Sequence, residues 1–289
     1  MNRRLLITDF NGRVVWEMDN PTGDSSPSAG PLGVRWLPGN RILATFGTGA
    51  VGIIDVASKT WVWRVNGDNY CSGCTYNPFQ SPYEAELLPD GNVAVAMRYN
   101  QDGRVDVFDP ATGTVVWTHL LYQAHAVYYR PQGYNTRYPT LLIGGWGETD
   151  EVAYAPRAGE TGQTVTWSAP TEYTHTALPV ENDNDNVLTV EGYYVQQLDR
   201  QGHRIWYVSA TGVDNQSQEA RRVAFNPYGG YIVTYIGSAQ SNPQTASHIE
   251  FWDRNRQVVQ RLQILSNVNP GQNSVLNFPY GIQVIDYPG

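Results

Sequence analysis

The stretch Leu87-Leu88-Pro89-Asp90-Gly91-Asn92-Val93-Ala94-Val95-Ala96, continued by Arg104-Val105-Asp106-Val107-Phe108-Asp109 and Thr114-Val115-Val116-Trp117, decides the fold. An apolar run stops at Pro-Asp-Gly-Asn, where proline presets one turn dihedral and glycine supplies the left-handed one. A second apolar run follows. Arg104 to Phe108 then alternates, the period of a half-buried strand. Asp109 ends it, Thr112-Gly113 reads as a hairpin turn, and a strand ending in Trp117 closes the unit. One unit is therefore strand, Pro/Gly turn, strand, strand ending in Asp, short turn, strand ending in Trp.

The same three markers recur in the same order along the chain. Pro-turns stand at Pro38, Pro89, Pro131, Pro179, Pro227 and Pro288. Aspartates end strands at Asp9, Asp55, Asp109, Asp199 and Asp253, with Pro156 in the equivalent place of the third unit. Trp16, Trp63, Trp117, Trp167 and Trp206 mark the last strand, with Gln260 in the sixth unit. Four strands recurring about every 40 to 50 residues predict propeller blades. The expected fold is all-β: one six-bladed β-propeller domain over residues 1–289.

Marker order also predicts how the ring closes. The chain begins with Asp9 and Trp16 and ends on a Pro-turn, so N-terminal strands and the C-terminal strand are expected to share one composite blade. From Pro-turn to Asp marker the chain runs 17 residues (55 − 38), 20 (109 − 89), 25 (156 − 131), 20 (199 − 179) and 26 (253 − 227), but only 10 across the closure (288 to 289, then 1 to 9). That blade is left with three strands or four.

Composition agrees with this reading. The chain has 28 Gly, 18 Pro, 19 Tyr and 9 Trp, and only 16% charged residues, a balance that favours turns and pleated surfaces over helices. With a net charge of −8 and no basic stripe, nucleic acid is excluded as an expected partner. No apolar run approaches the ~18 residues of a membrane-spanning helix. Lys59 is the only lysine, so almost all positive charge is arginine.

Residues just before each Pro-turn should ring one end of the central channel. Aligned, they read Leu32, Tyr83, His125, His175, Arg221 and Tyr280, with Glu84 and Arg222 one place further on. Imidazoles, phenols and a guanidinium in one funnel suit a small anionic or polyhydroxylated ligand. Arginine would clamp the anion, and His or Tyr could move a proton. The bland alternative is a wet channel with polar strand ends.

Tyr83 to Trp117, with the runs quoted above and Asp109-Pro110-Ala111-Thr112-Gly113, resembles blades of bacterial arylsulfotransferase-like propellers and is similar to quinoprotein-like repeat propellers. The resemblance implies that channel histidines and an arginine handle a sulfuryl group, roles that fall on His125, His175 and Arg221. The family's His-Asp pair is Tyr83-Glu84 here. A similarity of residue types to polysaccharide-lyase propellers implies β-elimination instead, with His or Tyr as base and Arg neutralising a uronate.

Other motifs carry less. Cys71-Ser72-Gly73-Cys74 is expected to form a local disulfide, implying an extracellular or periplasmic setting with a leader outside this numbering; free thiols in the cytoplasm are the alternative. Glu181-Asn182-Asp183-Asn184-Asp185-Asn186 reads as a turn before it reads as a calcium loop, and no cofactor is predicted. His119, His203 and His248 are expected on the surface or packed. Three functions stay open: a ligand-binding funnel, a propeller enzyme, or a protein scaffold using the aromatic connections at 64 to 82 and 261 to 278.

Overall fold

The computed structural model describes residues 4–23, 30–47, 49–66, 81–98, 103–134, 136–154, 164–180, 185–209, 219–236, 248–262, 265–266, 274–275 and 283. Among these the chain is all β, every strand pair is antiparallel, and no helix is long and apolar enough to cross a membrane. A hairpin of β1 (Arg4–Thr8) and β2 (Val14–Asp19) leads into two four-stranded sheets. The first orders β3 (Pro31–Leu37), β4 (Arg41–Phe46), β5 (Ala50–Asp55) and β6 (Thr60–Asn66). The second orders β7 (Pro82–Leu87), β8 (Val93–Met97), β9 (Arg104–Asp109) and β10 (Thr114–Leu120).

Next comes one seven-stranded sheet: β11 (Ala126–Arg130), β12 (Thr140–Gly144), β13 (Trp146–Ala153), β14 (Val165–Pro179), β15 (Val187–Glu191), β16 (Tyr194–Leu198) and β17 (Arg204–Ser209). A last four-stranded sheet holds β18 (Glu219–Phe225), β19 (Tyr231–Ile236), β20 (His248–Trp252) and β21 (Val258–Leu262). A short pair, β22 (Leu265–Ser266) and β23 (Ser274–Val275), follows. The seven-stranded sheet departs from the separate units expected there. Residues 165–170 of β14 pair with β13 and residues 174–179 pair with β15, so the Trp167 strand runs straight into the His175 strand. Tyr173 also pairs with Trp146 of β13, so only residues 171–172 lie between, and Thr171 and Thr174 hydroxyls bond Thr149 in that bend.

The markers have physical roles. Carboxylates of Asp9, Asp55, Asp109, Asp199 and Asp253 accept backbone N–H groups from Asn11, Ser58, Ala111, Gln201 and Asn255, closing each hairpin turn. Those donors hold the Asp55 and Asp109 carboxyls below the usual carboxylate range. The Trp markers pack in the layers between consecutive sheets: Trp16 against Ile42 and Ile54, Trp63 against Ala85 and Val95, Trp117 against Leu141 and Ile143, Trp167 against Val187 and Leu198, and Trp206 against Val223 and Val233. On its other side the β1–β2 turn meets the last sheet. Phe10 contacts the rings of Tyr228 and Phe251, and Gln260 donates to the Phe10 carbonyl at 3.1 Å.

Neighbouring units also share a buried ion cluster. Glu151, with no exposed side-chain surface, receives Arg130 at 2.8 Å and Arg200 at 2.6 Å. The Thr140 hydroxyl donates to the same carboxylate at 2.7 Å. Arg200 comes from the β16–β17 turn, so this carboxylate fastens the fourth unit to the third. Glu151→Ala strands the Arg200 guanidinium in the interior and leaves Arg130 with Asp185 alone, and should lower stability by about 3–5 kcal/mol, read as the shift in urea midpoint at unchanged m-value.

Candidate functional site

Innermost strands carry a shared irregularity. The register slips between Pro31 and Gly33 in β3, between Pro82 and Glu84 in β7, between Thr174 and Thr176 in β14, and between Ala220 and Arg222 in β18. The bulged residues are thus Leu32, Tyr83, His175 and Arg221, four positions of the predicted ring. His125, a fifth, immediately precedes β11, and its N–H bonds the Gly144 carbonyl at 2.8 Å. A bulge turns its residue out of the strand's alternation, so two consecutive side chains reach the same side. Tyr83 and Glu84, though adjacent, are accordingly both buried. Gly33 allows the strands to close on one another, since a Cβ there would lie 2.6 Å from the Tyr83 carbonyl oxygen.

Three bulged residues, Tyr83, His175 and Arg221, come together with His125. His125 stands edge-on to Tyr83, with ring centroids 4.3 Å apart, and 5.2 Å from His175. Arg221 Nη1 donates to His175 Nε2 at 2.6 Å. Guanidinium only donates, so His175 Nε2 carries the lone pair. Tyr280, Cys71, Cys74 and Glu181 to Asn184 lie outside the described residues.

Three more residues belong to the cluster and were not singled out from sequence. Tyr173 Oη lies 2.8 Å from His125 Nε2, and its ring is 4.3 Å from that of His175. Arg98 donates to Tyr83 Oη at 3.1 Å and lies over the Tyr83 and Tyr173 rings. Trp146, half exposed, packs 4.9 Å from Tyr173 and forms an aromatic rim. Tyr173 sits two places before His175, a same-face spacing that a period-two reading could have flagged. Arg98 follows the apolar strand β8 and carries no local signal.

Burial sets the electrostatics. It holds His125 well below the ordinary imidazole value of 6.5, with Arg98 adding to the effect. His175 is likewise held well below 6.5, by burial first and then by Arg221. Both imidazoles are neutral near pH 7.

Below this layer a single guanidinium links β18 to β7 and β14. Arg222 Nη2 donates to the Tyr83 carbonyl at 3.2 Å, and Nη1 donates to the His175 carbonyl and to Glu84 Oε2. Glu84 also receives Arg35, which reaches on to Glu86 at 2.9 Å. The two carbonyls that Arg222 binds belong to bulged residues, so it positions the Tyr83 and His175 side chains.

Among the described residues no group of three or more His, Cys, Asp or Glu side chains is arranged to hold a metal ion. Asp185 adopts the left-handed backbone expected of a turn (φ 59) and accepts Arg130 at 2.8 Å. His119 and His248 are packed within their sheets beside Asp150 and Glu250, while His203 is on the surface.

No family model and no curated sequence relative matches the chain. Solved structures do resemble it. A protein of unknown function from Bacteroides caccae aligns with a TM-score of 0.59 and 16% identity, over 86% of this chain and 85% of that one. Hydrazine synthase of Kuenenia stuttgartiensis gives 0.54 and 13%, over 87% and 71%. A chain of the mitotic checkpoint complex gives 0.52 and 13%, over 83% and 66%. The class of fold is thereby all-β and propeller-like.

Two predictions follow from the cluster. Between 6.5 and the depressed folded values the unfolded chain binds more protons than the folded one, so acid removes stability. The melting temperature should fall from about pH 7.5 to about pH 5.5, and less steeply in His175→Gln; equal slopes would refute a neutral His175. Arg222→Gln should loosen both bulges, seen as faster amide exchange at Thr176 and Glu84 than at residues of β20.

Proposed function

We propose that this chain is a six-bladed β-propeller whose N-terminal hairpin and C-terminal segment complete one blade, and that its channel mouth binds a small anionic or carbohydrate ligand. Support for the blade count comes from five successive four-strand units, the third and fourth sharing β14, plus the β1–β2 hairpin packed between first and last sheets. Gln283 accepting the Trp36 N–H brings the C-terminal segment to β3 and supports closure there.

The observation carrying the binding reading is the box of Tyr83, His125, Tyr173 and His175 flanked by Arg98 and Arg221. Its edges donate hydrogen bonds, its rings offer flat faces, and its cations match an anion. Trp146 at the rim suits the face of a sugar ring. Binding is favoured over chemistry because both imidazole Nε2 atoms are already engaged, one by Tyr173 and one by Arg221.

One observation favours a second reading. Imidazoles kept neutral by burial are competent nucleophiles or bases, so His125 or His175 with Arg221 suits sulfuryl transfer of the arylsulfotransferase-like kind, or lyase-type proton abstraction. Calorimetric titration with a uronate monosaccharide, its neutral sugar and an aryl sulfate separates the two. Saturable binding without turnover is expected, weakened about tenfold or more in Arg221→Gln and in Arg98→Gln. Equal affinity in both variants would sink the binding site, and turnover abolished by His175→Ala would establish the enzyme.

A further inference from the structure

Further along the same strands, toward the Pro-turns, the channel contains a separate cavity of about 250 Å³. Arg222 and Glu84 form its partition from the mouth, and Tyr83, His125, His175 and Arg221 are absent from its walls. Two charged side chains face into it with spare hydrogen-bonding capacity. Arg35 spends Nε on Glu86 Oε2 and Nη2 on Glu84 Oε1. Among the described residues Arg35 Nη1 and Glu86 Oε1 have no partner. Leu178, Val223, Ala224 and Phe225 give its lining an apolar part, beside the polar Tyr128, Thr176 and Gln283.

The ion pair restricts what can bind. A lone anion attracted to Arg35 is repelled by Glu86, whose carboxylate lies 2.9 Å from Arg35 Nε, and a lone cation attracted to Glu86 is repelled by Arg35. A molecule carrying both charges a carbon apart matches both groups at once. At ~30 Å³ per water the cavity has room for about eight waters, the size class of leucine or isoleucine. Burial also raises the Glu86 carboxyl above its ordinary 4.5, a carboxylate that an ammonium group would satisfy.

We infer that this cavity is a second ligand site, taking a zwitterionic α-amino acid with a branched apolar side chain. Its carboxylate pairs with Arg35 Nη1, its ammonium with Glu86 Oε1, and its side chain lies against Leu178 and Phe225. The site is distinct from the channel mouth and does not depend on what binds there.

Titration calorimetry of the whole chain with L-leucine tests this, with 4-methylpentanoate and isopentylamine as probes that each keep one charge. Leucine is expected to bind saturably and both single-charge probes at least about tenfold more weakly. Glu86→Gln, which keeps the shape, should weaken leucine about tenfold or more. Ala224→Phe, which fills the cavity and touches neither charge, should abolish binding. Absence of leucine binding to the unmodified chain, equal binding of the single-charge probes, or full affinity in either folded variant would each overturn the assignment.

Discussion

The geometry of the site depends on one buried guanidinium. Bulging β7 and β14 takes the carbonyls of Tyr83 and His175 out of their ladders, and a buried carbonyl without a donor costs free energy. Arg222 donates to both, sharing the Tyr83 carbonyl with the Thr45 hydroxyl, and Glu84 compensates its charge. A positive charge is thus tolerated in the interior because it answers two carbonyls, a carboxylate and the Thr176 hydroxyl at once.

The rest of the scaffold repeats a simpler logic. Each aspartate marker satisfies turn N–H groups that no ladder can reach, and each tryptophan marker fills the layer between its own sheet and the next. Neither is chemistry; both are what lets sheets stack in sequence. Because Tyr83, Tyr173, His175 and Arg221 sit on paired strands, and the Arg98 and His125 N–H groups bond the Ser81 and Gly144 carbonyls at strand ends, their geometry is fixed by backbone hydrogen bonds. Glu151 adds a charged fastening between the units on either side of β14, where one continuous strand already joins them.

Resemblance at 13–16% identity to proteins as different as a hydrazine synthase and a checkpoint assembly shows how little the fold says about the task. The cluster in this chain holds two imidazoles kept neutral by burial, two phenols and two guanidiniums in mutual contact. Low dielectric suppresses the charge on the imidazoles, and the neighbouring guanidiniums add to the effect.

The sequence by itself determined the strand pattern and the turn chemistry, because proline, glycine, aspartate and period-two alternation act locally. It reached Tyr83, Glu84, His125, His175, Arg221 and Arg222 by aligning the local patterns that lead into the Pro-turns, six residues ahead of the proline at Tyr83, His125 and Arg221 but four at His175. Only the tertiary structure decided the rest. Arg98, Tyr173 and Trp146 join the cluster from different positions in their units, and no local spacing ties Arg98 to Tyr83. The fusion of two units through β14, the carbonyls that Arg222 binds and the cavity beside Arg35 likewise depend on how neighbouring sheets approach. Those are contacts between residues dozens to more than a hundred positions apart, and they exist only once packing brings the strands together.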